Sequence, residues 1–219
     1  MKFLAFAPYA LIILGLGLSL TGLRPAALSW GIAVLGALSG LVIALIFVFS
    51  SRDGGWLFAA IAFLPFFVAV VMVVKALSYP RINDITTDVD NPPPFVAALK
   101  APASAGRKMT LPSSWGKIIG KAYPDLQALV LEETPEQAFQ RAKQLAETQS
   151  GWRITHVDES QGLIEAEAST RFFRFIDDVV VRVSGEGNKA HVDMRSKSRE
   201  GRSDLGKNAQ RIRAFLKQL

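Results

Sequence analysis

The chain has 219 residues, of which 25 are Lys or Arg, 19 are Asp or Glu and none is Cys. Residues 1–79 hold only five charged side chains (net +3), whereas residues 80–219 hold 21 basic and 18 acidic ones. This segregation excludes a single soluble domain and predicts a membrane part followed by a water-soluble part, while the lack of cysteine excludes disulfide scaffolds, thiol catalysis and Cys-ligated zinc.

Three uncharged runs, 3–23, 25–51 and 54–74, predict membrane-spanning helices. Each reaches the length of about 20 apolar residues that crosses a bilayer. The alternative for the first run is a cleaved signal peptide, which the two further spans disfavour. An N-terminus inside the cell predicts a multi-pass inner-membrane protein with a periplasmic C-terminal domain.

Small residues recur at four-residue spacing in the spans, as Gly15 with Ser19 and Gly36 with Gly40. Such pairs let helix backbones approach closely, so residues 1–79 are predicted to form a three-helix anchor packed on itself. The alternative is a homodimer through Gly36 and Gly40. No ionisable residue lies at mid-depth, which disfavours a carrier or a channel.

Residues 80–122 form a proline-rich segment that we call the strap; with Pro124, it brings seven prolines to 80–125. Proline at this density predicts extended chain with one short turn at 115–121. The turn-forming residues at 83–87 and the stiff Pro92–Pro94 run before Phe95 predict that the strap packs on the domain, with Phe95 buried. The alternative is a disordered spacer.

Residues 123–219 predict an α+β domain. Strands are expected at 126–132, 152–157, 162–169, 172–183 and 190–198, and a final helix at 204–218. Thr134, Pro135 and Gln137 carry the signature of a capping box at the start of the other helix. The order β-α-β-β-β-β-α favours an antiparallel sheet with helices on one face, a helix-grip-like fold.

Three stretches, 81–95, 173–183 and 195–215, carry a family resemblance. With the segments between them, residues 81–217 closely resemble the family known as domain of unknown function 1499. The three spans lie outside the resemblance. It implies an extracytoplasmic or lumenal domain and assigns no activity.

Pairing 172–183 with 190–198 across a loop at 185–188 predicts that opposing residue numbers sum to about 373. Asp178 would then oppose Arg195, and Asp177 would point inward among apolar side chains. An inward carboxylate is either a catalytic or ligand-binding acid or a structural anchor that accepts hydrogen bonds.

The turn that follows, 199–204, combines arginines, a hydroxyl and a helix start, the usual components of an anion site. In the alternative interpretation, Asp204 is a helix cap, Arg195 pairs with Asp178 and the other arginines are solvated. The complete predicted ligand-binding set is Asp177, Arg195, Ser196, Ser198, Arg199, Arg202, Ser203, Asp204, Asn208 and Arg211.

The leading hypothesis is a non-enzymatic, membrane-tethered module that binds an anionic ligand, a phospholipid headgroup or an envelope protein. The alternative is a hydrolase that uses Asp177 or Asp204 as acid or base. No cofactor or metal is expected, because the two histidines lie in separate strands and Asp84, Asp88 and Asp90 lack the pattern of a calcium loop. Stacking aromatics are absent from the basic C-terminal run, which disfavours nucleic acid.

Overall fold

The computed structural model describes residues 2–21, 26–50 and 55–219. These residues form two compact units, one comprising the N-terminal helices up to Ser78 together with Arg171–Arg174, the other comprising Tyr79–Thr170 and Phe175–Leu219. The predicted connections around residues 22–25 and 51–54 lie outside the described residues.

Three helices of the first unit are long and apolar enough to span a membrane: α1 (Ala7–Thr21, extended by a 3-10 turn at Lys2–Phe6), α2 (Ala26–Ser50) and α3 (Gly55–Ala76). They pack through the predicted small residues. A side chain at Gly15 would meet the Ser29 carbonyl of α2, and one at Gly36 would meet the Pro8 carbonyl of α1. Gly40 lies equally close to α3, so contacts within one chain account for both glycines of the proposed dimer motif; the homodimer stays a prediction.

Pro65 lies inside α3, and Tyr9 of α1 supplies the hydrogen bond that the proline cannot make. A proline has no N–H to donate to the carbonyl four residues earlier, here that of Ile61. The Tyr9 hydroxyl donates to this carbonyl at 2.8 Å. A backbone acceptor that would be costly to leave unpaired in hydrocarbon is therefore satisfied from the neighbouring helix.

The second unit is an antiparallel sheet of six strands. They are β1 (Asp84–Thr86), β2 (Leu129–Leu131), β3 (Trp152–Asp158), β4 (Leu163–Ser169), β5 (Ile176–Glu186) and β6 (Lys189–Ser198). The strand order is β1-β6-β5-β4-β3, and β2 pairs with the other half of the same β6 edge that β1 occupies. The predicted α+β class with an antiparallel sheet is confirmed.

Helices cover one face of the sheet. They are α5 (Ser113–Ala122), α6 (Pro135–Thr148) and α7 (Lys207–Leu216). Their apolar residues and the inward side chains of β4, β5 and β6 form the main core, in which Trp152 stacks on Phe215 with ring centroids 5.4 Å apart. The capping box of α6 is present as predicted, with both hydrogen bonds between Thr134 and Gln137.

The strap covers part of the opposite face. Phe95 is buried, as predicted, in a small apolar cluster with Ala98, Met109, Leu163 and Val180. The strap is more regular than expected, because it supplies β1, a short helix α4 (Ala97–Lys100) and the ten-residue α5 where a single turn was predicted. Pro112 occupies the N-cap of α5, so proline starts this helix instead of preventing it.

The predicted register between β5 and β6 is wrong by two residues. Asp177 opposes Ser198 and Asp178 opposes Lys197, so opposing numbers sum to 375. The strands run on to Glu186 and Lys189 and are joined by a two-residue turn whose Gly187 has φ +58°, where a four-residue loop was expected. A shift of two preserves the alternation of side chains, so each residue keeps its predicted face but has a different partner.

Candidate functional site

The sheet divides the predicted site residues between its two faces. Asp177, Ser196 and Ser198 point toward α7, whereas Arg195 and Arg199 point toward the strap. The turn after β6 carries Arg202, Ser203 and Asp204. The predicted set therefore forms three separate groups, which are described in turn.

The first group, which we call the Asp177 cluster, consists of Asp177, Ser196, Ser198, Asn208 and Arg211. Arg211 bonds to Asp177 at 2.6 Å and to Ser196 at 2.9 Å. Ser196 donates to the Asn208 side-chain oxygen at 2.8 Å, and the Asn208 amide donates to Ser198 at 3.0 Å. The interior carboxylate thus has a charged partner from α7 and acts as an anchor between helix and sheet, although the predicted anchor lacked Arg211.

Asp204 joins this cluster to the start of α7. Its carboxylate accepts the backbone N–H of Gly206 at 3.0 Å and that of Asn208 at 2.8 Å. Helix α7 begins only at Lys207, with Gly206 at the N-cap, so Asp204 caps the helix from outside it. Burial raises the pKa of Asp204, and the charge of Asp177 adds to this effect, although the two N–H groups oppose it.

The final helix, predicted at 204–218, begins later than expected, at Lys207. Leu205 precedes the helix and is 49% exposed, whereas Phe215 is 1% exposed and takes its place in the core with Ala209 and Ile212. Leu205 also has a positive φ of +53°, which is uncommon for a residue other than glycine. The chain turns sharply at Leu205, just before α7, which starts three residues later than predicted.

The second group lies under the strap in an ion-pair network centred on Arg195. This guanidinium makes two hydrogen bonds to Asp84, at 2.9 and 2.8 Å, and the expected pairing of Arg195 with Asp178 is wrong. It also donates to the carbonyls of Pro93 and Met109 and lies 4.7 Å from the centre of the Phe95 ring. One side chain therefore holds four separate points of the strap.

Arg199 forms a second set of ion pairs on the same face of the sheet. It pairs with Asp178 at 2.6 Å and with Glu167 at 2.5 Å, while Arg107 of the strap approaches Asp178 from the other side at 3.0 Å. Burial would raise the pKa of Glu167, but its hydrogen bonds from Arg199 and Arg153 outweigh that effect and lower it.

Other charges complete the attachment of the strap. Glu165 is 1% exposed and accepts the backbone N–H groups of Val96, Ala97 and Ala98. Arg182 bridges Asp88 of the strap and Asp193 of β6, each at 2.9 Å. These anchors were missed because the alternation in 163–169 and 178–197 indicates a charged face but does not show which segment covers it.

A cavity of about 630 Å³ opens beside Arg182 and contains none of the predicted site residues. Its polar lining includes Asp88, Asp90, His191 and Asp193. Among the described residues, no group of three or more His, Cys, Asp or Glu side chains is arranged to hold a metal ion.

The third group is the exposed turn after β6, which lies along the first residues of the strap. Asn83 donates to the Gly201 carbonyl at 2.6 Å, Ser203 donates to the Pro80 carbonyl at 3.2 Å, and the Asp204 N–H donates to Ile82. The contact brings exposed Arg202 and Lys207 into the same region as exposed Arg81. None of these three cations has a carboxylate partner in the described part of the chain; we call them the basic surface.

The chain belongs to the family described as "Protein of unknown function (DUF1499)", whose model matches residues 84–219. The three membrane-length helices precede the matched region. No curated protein and no solved structure gives a significant match.

Proposed function

We propose that this protein is a membrane-tethered, extracytoplasmic module that binds anionic groups at the basic surface and performs no catalysis. The observation that carries the proposal is that Arg81, Arg202 and Lys207 have no carboxylate partner among the described residues, whereas the other predicted arginines are paired within the domain. Arg195, Arg199 and Arg211 each meet a carboxylate of the chain. Arg202, by contrast, is exposed and meets no carboxylate in the part of the chain that the structure describes.

The hydrolase hypothesis has no comparable support. A catalytic acid or base needs a reacting group within reach. Asp177 is 3% exposed and faces Arg211, and both Asp204 oxygens accept backbone N–H groups of α7. These contacts explain both carboxylates as structural.

Anion binding is tested on the full chain in nanodiscs of phosphatidylcholine, with tripolyphosphate as the probe and calorimetry as the readout. We expect binding that weakens in Arg81→Ala and in Arg202→Ala. Lys189→Ala is the matched control, because Lys189 is an exposed cation at the opposite end of the sheet. Equal binding by all variants would refute the assignment.

The location is tested separately. A C-terminal alkaline phosphatase fusion is active only outside the cytoplasm, so we expect an active fusion in the inner membrane fraction. An inactive fusion, with a fluorescent C-terminal fusion bright in its place, would put the domain in the cytoplasm.

A further inference from the structure

We infer that the anionic partner of the basic surface is the headgroup layer of the bilayer in which the chain is anchored, and that Leu205 enters its apolar boundary. This inference rests on the proposed function and names its ligand. Three observations support it: the short path from the last apolar helix, the composition of the surface and the charge of the two sheet ends.

The first observation is the path of the chain. Helix α3 ends at Ala76, and Tyr79, the residue just before the strap, already contacts the domain, where its ring packs against Gly206. Three residues of extended chain span at most about 11 Å. Only Leu77 and Ser78 therefore separate the last membrane-length helix from a residue that contacts the turn carrying Arg202 and Leu205.

The second observation is the composition of the turn. An exposed leucine stands between two exposed cations, Arg202 and Lys207, and Glu200 is the exposed acid of the same segment. An anionic membrane surface attracts nearby cations, and transfer of the apolar side chain between them from water into the bilayer boundary lowers the free energy. A soluble anion would bind to the cations, but it would not explain why an exposed leucine lies between them.

The third observation is the charge at the far end of the sheet, where β2, β3 and β5 end. The exposed or half-exposed carboxylates there are Glu132, Glu133, Asp158, Glu159 and Glu186, of which Glu133 pairs with Arg141. Lys189 is the cation at the same hairpin. An anionic bilayer repels this end and attracts the basic surface, so the two ends of the domain favour the same orientation.

The absence of cysteine makes a direct test possible. Leu205→Cys, labelled with bimane in the full chain, is placed in nanodiscs of phosphatidylcholine alone or of phosphatidylcholine with phosphatidylglycerol, each carrying brominated acyl chains. We expect bromine quenching of the label in the anionic discs and much weaker quenching in the neutral ones. Asn188→Cys, in the turn at the far end, should not be quenched in either.

Removing cations tests the electrostatic part. Arg202→Ala and Lys207→Ala should each lower the ratio of docked to undocked label about fivefold, as expected for one cation at an anionic surface. Raising the salt concentration should have the same effect as these substitutions.

Leu205→Gly separates docking from folding. Glycine accommodates the φ of +53° without strain, so the unfolding equilibrium should move about fivefold or more toward the folded state. With the label moved to Glu200→Cys in the same turn, Leu205→Gly should nevertheless reduce quenching in anionic discs. A label at 205 that is unquenched, or quenched equally in both disc types, would overturn the inference. If tripolyphosphate still binds in that case, the basic surface takes soluble anions and the proposed function stands.

Discussion

Arg195→Ala should destabilise the second unit severely, because it removes the cation from a buried pair. The side chains of Arg195 and Asp84 are 5% and 0% exposed. Removing one partner of such a pair costs about 3–5 kcal/mol, since the remaining charge stays buried, although Lys197 at 3.1 Å retains part of the compensation for Asp84. The expected loss is therefore near the lower limit, about 3 kcal/mol.

The matched control is Arg213→Ala. Arg213 also makes two hydrogen bonds to an aspartate, Asp125, but these side chains are 43% and 54% exposed. An exposed pair contributes about 0–1 kcal/mol, so the two variants should differ by about 2 kcal/mol or more. Replacing Arg195 and Asp84 together by apolar residues should cost less than Arg195→Ala alone, because no charge then stays unpaired.

The assay is urea unfolding of the full chain in detergent, with Trp30, Trp56 and Trp115 replaced by Phe so that the fluorescence reports on Trp152, which stacks in the core. Limited proteolysis between residues 83 and 95 gives a second measure, because loss of the Arg195 contacts should release the strap first. Equal losses of unfolding free energy in Arg195→Ala and Arg213→Ala would refute the argument that burial makes the first pair essential.

Three further substitutions test other contacts of the fold. Phe95→Ala should lower the free energy of unfolding by about 3 kcal/mol or more, since Phe95 is 6% exposed beneath the strap; a loss below 1 kcal/mol would show that the site collapses without cost. Tyr9→Phe should destabilise the helical unit by about 1 kcal/mol when Pro65 is present. In a Pro65→Ala background the loss should be smaller, because the N–H of Ala at position 65 then donates to the Ile61 carbonyl. Additive effects of the two substitutions in thermal unfolding would contradict this. The pKa of Asp204 is raised in the folded state, so the stability that Asp204 contributes relative to Asp204→Asn should be present below pH 3.8 and lost as the pH rises through the folded pKa. The pKa of Glu167 is lowered in the folded state, so the stability that Glu167 contributes relative to Glu167→Gln should be present above pH 4.5 and lost as the pH falls through the folded pKa. Urea titrations across this range that moved both differences in one direction would refute the assigned causes.

Local patterns predicted the elements and faces of this domain but not the partners across it. Alternation in β5 and β6 placed Asp177 on the helix face and Asp178 on the charged face, and the capping box located the start of α6. The same patterns left the register open by two residues, because a two-residue and a four-residue turn preserve the same alternation. Only the geometry of Gly187 distinguishes them.

The partner of Arg195 could not be predicted from the sequence, for a different reason. Asp84 is 111 residues away in the chain, and β1 is only three residues long, too short for a periodic signal. Arg195 was therefore predicted as a cation of a ligand site or as the partner of Asp178, and both predictions missed Asp84. For Arg199 and Arg211 the carboxylates lie on strands that were predicted, but the pattern does not show which side chains meet.

The two faces of the sheet illustrate what the strap contributes. Helices α5, α6 and α7 cover an apolar face, which water would disfavour if it were exposed. The strap covers a face dominated by paired charges, with only the small cluster around Phe95 as apolar contact.

Buried ion pairs add little net stability over apolar packing, but each demands one geometry from its partners. The ion pairs of Arg195, Arg107 and Arg182 therefore determine where the strap lies, rather than adding stability beyond that of apolar contacts. This position matters because residues 80–83, at the start of the strap, support the turn that carries Arg202 and Leu205. If the strap were displaced, Arg81 would no longer be held beside Arg202 and Lys207, and binding of anionic groups should weaken in Arg195→Ala although Arg195 is not part of the basic surface.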